Sequence, residues 1–312
     1  MPLHTLLRTD LKVSRACLGT MTFGMQTDEA TAARMVDLCL DRGINFVDTA
    51  NVYNLGKAET ILGTLLQGRR NRVVLASKVC MKMGDGPDQS GLSKAAIHRS
   101  IDESLRRLRT DHLDLYYLHK PDNATHIAET LDALDGLIKA GKVRYAGVSN
   151  FPAWRVCQIL WLCDKSGYQP PVVAQPAYNL IARGIEAEYV PACRALQLSI
   201  AVYNPLAGGL LTDLAAGTRP PRTKRYARPA YAEAVEELRG AAARAGRSLV
   251  DLALSWLLHH SAADCAILGA QSLEQLHNNL DVLDHGPLPD ATVAECDAVW
   301  QRLSDAVPTE SR

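Results

Sequence analysis

Residues 73–119 read VVLASKVCMKMGDGPDQSGLSKAAIHRSIDESLRRLRTDHLDLYYLH, a complete strand–helix–strand pattern. It opens on an apolar, β-rich run, 73–78, that ends on Lys78, and closes on another, 113–119, that ends on His119. Between them Ser93 offers a helix N-cap, and the residues from Lys94 to Leu108 carry helical periodicity. Strand, crossover helix and strand together are the sign of a parallel βαβ unit, and near-continuous hydrophobicity suits strands buried on both faces.

The pattern repeats outward in both directions. Runs at 16–19, 45–48, 143–148, 172–175, 199–203 and 265–268 bring the strands to eight. With helical segments between them, they predict an α/β chain folded as a (β/α)8 TIM barrel. An N-terminal β-hairpin is expected ahead of the barrel, with 4–7 and 11–14 flanking Arg8 to Asp10, placed to plug the barrel floor. Gly141 closes a helical run beginning near Thr125, and a last amphipathic helix at about 290–303 follows Gly286-Pro287. The loops 79–92 and 207–229 exceed what barrel connections need, and long loops in a compact domain are more often functional than idle. No linker or internal repeat interrupts the 312 residues, so 1–312 is expected to form one domain.

Composition narrows the function. Lys and Arg total 34 against 34 Asp and Glu, which leaves no global field to hold a nucleic acid or an anionic membrane surface. The expected partner is a small molecule, with the choice between monomer and homo-oligomer left open. The 8 cysteines show neither zinc-ligand nor redox-motif spacing, the pattern of reduced thiols in a cytoplasm. Nothing resembles a secretory leader, and no window reaches the ~18 apolar residues of a membrane span. A metal is not expected: His259 and His260 adjoin in sequence and so do not share a helix face, and no H-E-x-x-H is present.

Barrels of this kind gather their chemistry at the C-terminal ends of the strands. Here the runs end on Asp48, Lys78, His119, Ser149-Asn150, Gln175 and Tyr203-Asn204, and Tyr53 follows Asp48 in the same strand-to-helix loop. Singly, each is weak evidence, because an Asp after a strand commonly caps the next helix and a Lys there is commonly solvated. Their convergence on one rim is the signal. As one device they suit hydride reduction of a carbonyl, in which the alkoxide that forms must receive a proton. Tyr53 is the candidate donor, and Lys78 is expected to bring its pKa down from an ordinary value near ~10 toward working pH. Asp48 would keep Lys78 charged and in place, and His119 would orient the carbonyl by a hydrogen bond.

These residues also spell a family. LGTMTFG (18–24), INFVDTANVYNLGKAETILG (44–63), LASK (75–78), ESLRRLRTDHLDLYYLHKPD (103–122), GVSNF (147–151), YNPLAGGLLT (203–212) and LGAQSLEQLHNNL (268–280) resemble the aldo-keto reductases, in that family's order and spacing. The finer likeness is to the aflatoxin-aldehyde and succinic-semialdehyde reductase branch. The resemblance implies a barrel that binds NADPH across the strand mouth without a Rossmann domain, NADH being the alternative. Consistent with this, no G-x-G-x-x-G opens a helix. It implies that Gly19, Thr20, Met21 and Asp48 line the cofactor, that Ser149, Asn150 and Gln175 bind its carboxamide, and that Tyr203 stacks on the nicotinamide. Asn204, Pro205, Leu206, Gly208 and Leu210 would follow the pyrophosphate, and Gly269, Gln271, Gln275, Asn278 and Asn279 the adenosine. Substrate would meet Met21, Phe23, Tyr53, His119 and Arg225.

One departure bears on the cofactor. The family commonly reads L-L-T-G-K-Y in its glycine-rich loop, with a lysine near the phosphates, whereas this chain reads LLTDLAAG (210–217). Arg219, Arg222, Lys224 and Arg225 follow, any of which could meet a 2′-phosphate, and Arg225 aligns with an arginine that contacts acidic substrates in the branch. Two rivals stand beside reduction of aldehydes and, secondarily, ketones. One is a Schiff-base aldolase using Lys78. The other is a regulatory subunit that senses redox state through a bound nicotinamide, as relatives that serve ion channels do.

Overall fold

The computed structural model describes residues 2–213 and 224–306. Two short strands, β1 (Leu3–Thr5) and β2 (Lys12–Ser14), pair antiparallel, with Leu3 opposite Ser14. The next eight close a barrel: β3 (Ala16–Gly19), β4 (Phe46–Asp48), β5 (Val74–Val79), β6 (Leu113–Leu118), β7 (Val143–Ser149), β8 (Val173–Gln175), β9 (Ser199–Val202) and β10 (Cys265–Gly269). Their cyclic order is β10-β3-β4-β5-β6-β7-β8-β9, every neighbouring pair parallel. Each apolar run of the sequence therefore holds a barrel strand, its ends displaced by a residue or so. Tyr203 lies just beyond β9, in an isolated bridge with Ala177.

Helices wrap the outside: α1 (Glu29–Asp41), α2 (Lys57–Leu65), α3 (Lys94–Leu108), α4 (Ile127–Lys139), α5 (Ala153–Ser166), α6 (Tyr189–Ala195), α7 (Pro229–Arg244), α8 (Leu249–His259), α9 (Leu273–Asp281) and α10 (Asp290–Ala306). Several start on side-chain caps, as with Ser93 Oγ, which accepts from Ala96 N at 3.1 Å ahead of α3. Among the described residues no helix is long and apolar enough to cross a membrane.

The period of two along each strand sorts its side chains. Cys17, Phe46, Val74, Leu115, Tyr117 and Cys265 pack together inside the barrel, while Leu18, Val47, Leu75, Leu118 and Val148 face the helices. Fully burying a side chain such as Phe46 is worth roughly 1.5–3 kcal/mol, so the two cores together enforce the register. Tyr117 fits inside because Gly147 sits opposite: a Cβ there would lie 2.5 Å from its ring. Leu6, Leu11 and Val13 of the hairpin are buried in the same inner cluster, which seals the floor as expected.

That alternation fixes the site. Counting outward from the inner-facing residues in steps of two, the last inward position of the strands falls on Gly19, Asp48, Lys78, His119, Ser149, Gln175, Tyr203 and Gly269. These eight positions gather on the C-terminal rim. The loop 79–92 lies on this face and is tied down by Asp122, whose Oδ2 accepts from Leu92 N at 2.8 Å.

Candidate active site

Lys78 is the centre of the rim. Its side chain is 1% exposed, and Nζ donates to Asp48 Oδ1, to Thr49 O at 2.8 Å and to Tyr53 OH at 3.1 Å. Three donors meeting three acceptors leave the ammonium fully satisfied. Burial alone pulls its pKa down, but Asp48 and Tyr53 outweigh that effect and hold it above its ordinary value. Asp48 is steadied in turn by Gln175, whose Nε2 donates to Oδ2 at 2.9 Å. Gln175 was expected to face a nicotinamide carboxamide; in the structure its amide nitrogen is committed to Asp48.

Tyr53 hangs over this pair from a turn of unusual backbone. Asn54 and Leu55 have φ of +49° and +51°, and Gly56 has φ of +90°. Three successive left-handed residues reverse the chain sharply and place the phenol of Tyr53 against Lys78, whose Nζ is also 4.9 Å from the ring centroid. The pKa of Tyr53 moves in the opposite direction from that expected. Burial raises it, Lys78 lowers it, Asp48 raises it again, and the net shift is upward. The hydroxyl therefore stays protonated at neutral pH, which is the form a proton donor must have.

His119 meets Tyr53 edge to face, ring centroids 6.1 Å apart. Burial, then Lys78 and Lys120, push its pKa down to about 3, so the imidazole is neutral and cannot act as a cationic acid. Among the described residues its buried Nδ1 has no hydrogen-bond partner. Ser149 Oγ donates to Gln175 O at 2.9 Å, and Asn150 donates from Nδ2 to His119 O at 2.9 Å. Asn150 Oδ1 accepts from Tyr203 OH at 2.7 Å. The rim is thus cross-braced before any ligand arrives.

The other expected contacts divide. Thr20 is buried, with Oγ1 bound to Asp48 O at 3.0 Å, and Met21 is 58% exposed beside it. Phe23, expected against substrate, is fully buried in the outer core, so its ring offers no surface to a ligand. It was misplaced because its loop folds back onto α2, where Gly24 packs against Ile61 and Lys57. Asn204 accepts from Gly208 N at 2.6 Å through Oδ1, shaping the turn with Pro205 and Leu206. Among the described residues nothing lies within 4 Å of where a Cβ on Gly209 or Gly269 would stand, leaving backbone open there to a close-lying ligand. Ser272 caps α9, Gln271 N donates to Gln275 Oε1 at 3.0 Å, and Asn278 is exposed while Asn279 is buried.

In place of the family's lysine region, Asp213 Oδ1 accepts at 2.8 Å from Leu249 N, the first N–H of α8, whose N-cap is Ser248. No sequence signal marked that role. Arg219 and Arg222 lie outside the described residues, as does the side chain of Lys224. Arg225 is half-buried and faces the hydroxyls of Tyr203 and Tyr226, which together overcome burial and raise its pKa. A cavity of about 620 Å³ opens at the opposite, N-terminal face, lined by Lys12, Arg70, Arg72, Asp114 and Arg144 among others. It contains none of the rim residues, and its Asp114 is paired to Arg70 and Arg144.

The aldo/keto reductase family model matches residues 15–301. The chain is 39% identical over 298 residues to an uncharacterized oxidoreductase, YrpG, of Bacillus subtilis (strain 168), covering 89% of each chain. It is 35% identical over 323 residues to aflatoxin B1 aldehyde reductase member 2 of Homo sapiens, covering 95% of this chain and 89% of that one. A probable voltage-gated potassium channel subunit beta of Oryza sativa subsp. japonica is 33% identical over 305 residues, covering 92% and 93% respectively.

Proposed function

The chain belongs to the aldo/keto reductase family and is an NAD(P)H-dependent oxidoreductase, and we propose that it reduces aldehydes, and secondarily ketones, with NADPH and with Tyr53 as proton donor. The observation that carries this reading is the Lys78 ammonium bound at once to Asp48 and, at 3.1 Å, to Tyr53 OH. A bound nicotinamide supplies the hydride. Open backbone at Gly209 and Gly269, with Tyr203 and Asn150 on the rim, fits such a group. Ser149, Asn150 and, through its Oε1 while Nε2 stays on Asp48, Gln175 would hold its carboxamide end, and Tyr203 its ring.

The chain's own residues do the rest. Tyr53 releases its proton to the oxygen as alkoxide charge develops, and Lys78, held charged by Asp48, stabilises the phenolate left behind. The neutral imidazole of His119 directs an N–H at the carbonyl oxygen and fixes its position. A Schiff-base aldolase needs an uncharged amine, and the raised pKa of Lys78 weighs against that rival. Arg225 sits beside Tyr203, which favours a substrate carboxylate over a 2′-phosphate as its partner.

The test is oxidation of NADPH and of NADH with 4-nitrobenzaldehyde, succinic semialdehyde and a dicarbonyl, run beside Tyr53→Phe. Turnover of at least one aldehyde, lost in Tyr53→Phe, is expected. Turnover that survives the substitution unchanged would sink the mechanism. A nicotinamide-binding regulatory subunit is the second reading, and the name of the rice relative is what favours it. It expects tight cofactor binding with negligible turnover of every carbonyl in the panel.

A further inference from the structure

Behind the rim, on the side of the barrel wall that faces the helices, Glu59 is 0% exposed in the first turn of α2. Its Oε1 accepts from Ser77 Oγ at 2.5 Å and its Oε2 from Arg107 Nε at 2.7 Å. Ser77 adjoins Lys78 on β5, while Glu59 lies three residues beyond Gly56, where the Tyr53 turn ends. Arg107 of α3 also packs against that turn: a Cβ on Gly56 would come within 2.7 Å of its Cδ. One carboxylate therefore joins the strand carrying Lys78 to the turn carrying Tyr53, and one guanidinium braces both.

A buried ion pair is ordinarily weak evidence for stability, since desolvation offsets the attraction. Two features set this one apart. The turn it braces holds three left-handed residues in succession, Leu55 among them, and such a backbone persists only where its surroundings over-determine it. The two anchored segments also carry the partners of the single contact on which the proposed chemistry depends.

We infer that Glu59, with Ser77 and Arg107, is a positioning device that sets the Tyr53–Lys78 contact, so that its loss impairs proton donation without removing any group that touches substrate. The inference rests on the proposed role of Tyr53. Besides Lys78, the groups facing Tyr53 are Asp48, His119 and Tyr203. Loosening the turn relieves the burial that most raises the pKa of Tyr53 and weakens the Lys78 contact that lowers it; whichever prevails, loss of either partner of the brace loosens the same turn and should move the phenol midpoint in the same direction.

The experiment uses the full chain and two variants that remove opposite charges, Glu59→Gln and Arg107→Met. Ionisation of Tyr53 is followed by ultraviolet difference titration of the apoprotein, subtracting the same protein carrying Tyr53→Phe, and kcat and KM are measured beside it. Both variants are expected to move the Tyr53 midpoint in the same direction and to lower kcat about tenfold or more, because small misplacements of a reacting group are costly. KM for NADPH should stay within about twofold, since no group expected to touch the cofactor has changed. Arg107→Lys keeps the ion pair and should lie closer to the unsubstituted protein. Midpoints that move in opposite directions would reveal a simple field effect and overturn the inference. A lowered melting temperature with midpoint and kcat unchanged would overturn it too, leaving Glu59 a packing residue. Should Glu59→Gln fail to fold, Ser77→Ala removes only the strand anchor, and an unmoved midpoint there is equally fatal. If no aldehyde is turned over at all, the proposed function fails, while the titration still reports on the brace.

Discussion

At Lys78 and Tyr53, burial and charge pull against each other, and the balance decides what each residue can do. Tyr53→Phe removes the proposed donor and should lower kcat by about 10²–10⁴. It should leave cofactor binding, read by quenching of protein fluorescence, nearly intact. Lys78→Met strands a buried Asp48 carboxylate and is expected to cost stability as well, about 3–5 kcal/mol in denaturant unfolding. His119 makes a different prediction. Its folded pKa of about 3 lies below the unfolded value of 6.5, so across that interval the unfolded chain takes up a proton that the folded chain refuses. Stability is therefore full above the unfolded pKa and declines as pH falls toward the folded one, by up to about 1.4 kcal/mol per pH unit. Unfolding curves recorded through that range should show a shallower decline for His119→Gln, and identical slopes would mean that the imidazole is protonated in the folded state.

Among the elements, β6 and β7 make the plainest test of the barrel packing. Gly147→Ala puts a methyl group 2.5 Å from the Tyr117 ring inside a closed sheet that cannot spread, and overpacking of this kind costs about 1–3 kcal/mol. Thermal melting should show the loss, and pairing the substitution with Tyr117→Phe should not relieve it, because the clash is with ring carbons. The same strands show why much of the site was legible. A buried parallel strand must be apolar almost throughout, so a charge or amide at its end, as at Asp48, Lys78 and Gln175, stands out, and the period of two then says which way it faces. What could not be read depends on contacts distant in sequence. The burial of Phe23 depends on its loop folding onto α2, and the bond from Asp213 to the first N–H of α8 joins segments 36 residues apart, neither of which local sequence encodes. The start of α4 was also blurred, since its N-cap is His126, a residue type without a strong capping preference. The upward shift of Tyr53 was missed because distance to Lys78 can be guessed from a motif, whereas desolvation cannot.

For the molecule as a whole, equal numbers of acidic and basic residues leave cofactor choice to local charge, and global stability offers a way to measure it. A ligand that binds only the folded barrel adds RT ln(1 + [L]/Kd), about 2.7 kcal/mol at a hundredfold excess over Kd, enough to raise the melting temperature by a few degrees. The segment 269–281 contains no lysine or arginine, and its His277 is paired with Asp281. With the adenosine along this segment, as proposed, a 2′-phosphate would find its cation elsewhere, and Arg219, Arg222 and Lys224 are the proposed candidates, since Arg225 lies near Tyr203. NADPH is accordingly expected to raise the melting temperature more than NADH at equal concentration, with the difference shrinking at high salt as screened charge pairs do. Arg225→Gln should preserve that difference while raising KM for succinic semialdehyde, a carboxylate-bearing substrate, more than for 4-nitrobenzaldehyde. Joint replacement of Arg219, Arg222 and Lys224 by glutamine should abolish it. Equal shifts for the two cofactors in the unsubstituted protein would withdraw the proposal of NADPH and leave the proposed role of Tyr53 in carbonyl reduction untouched.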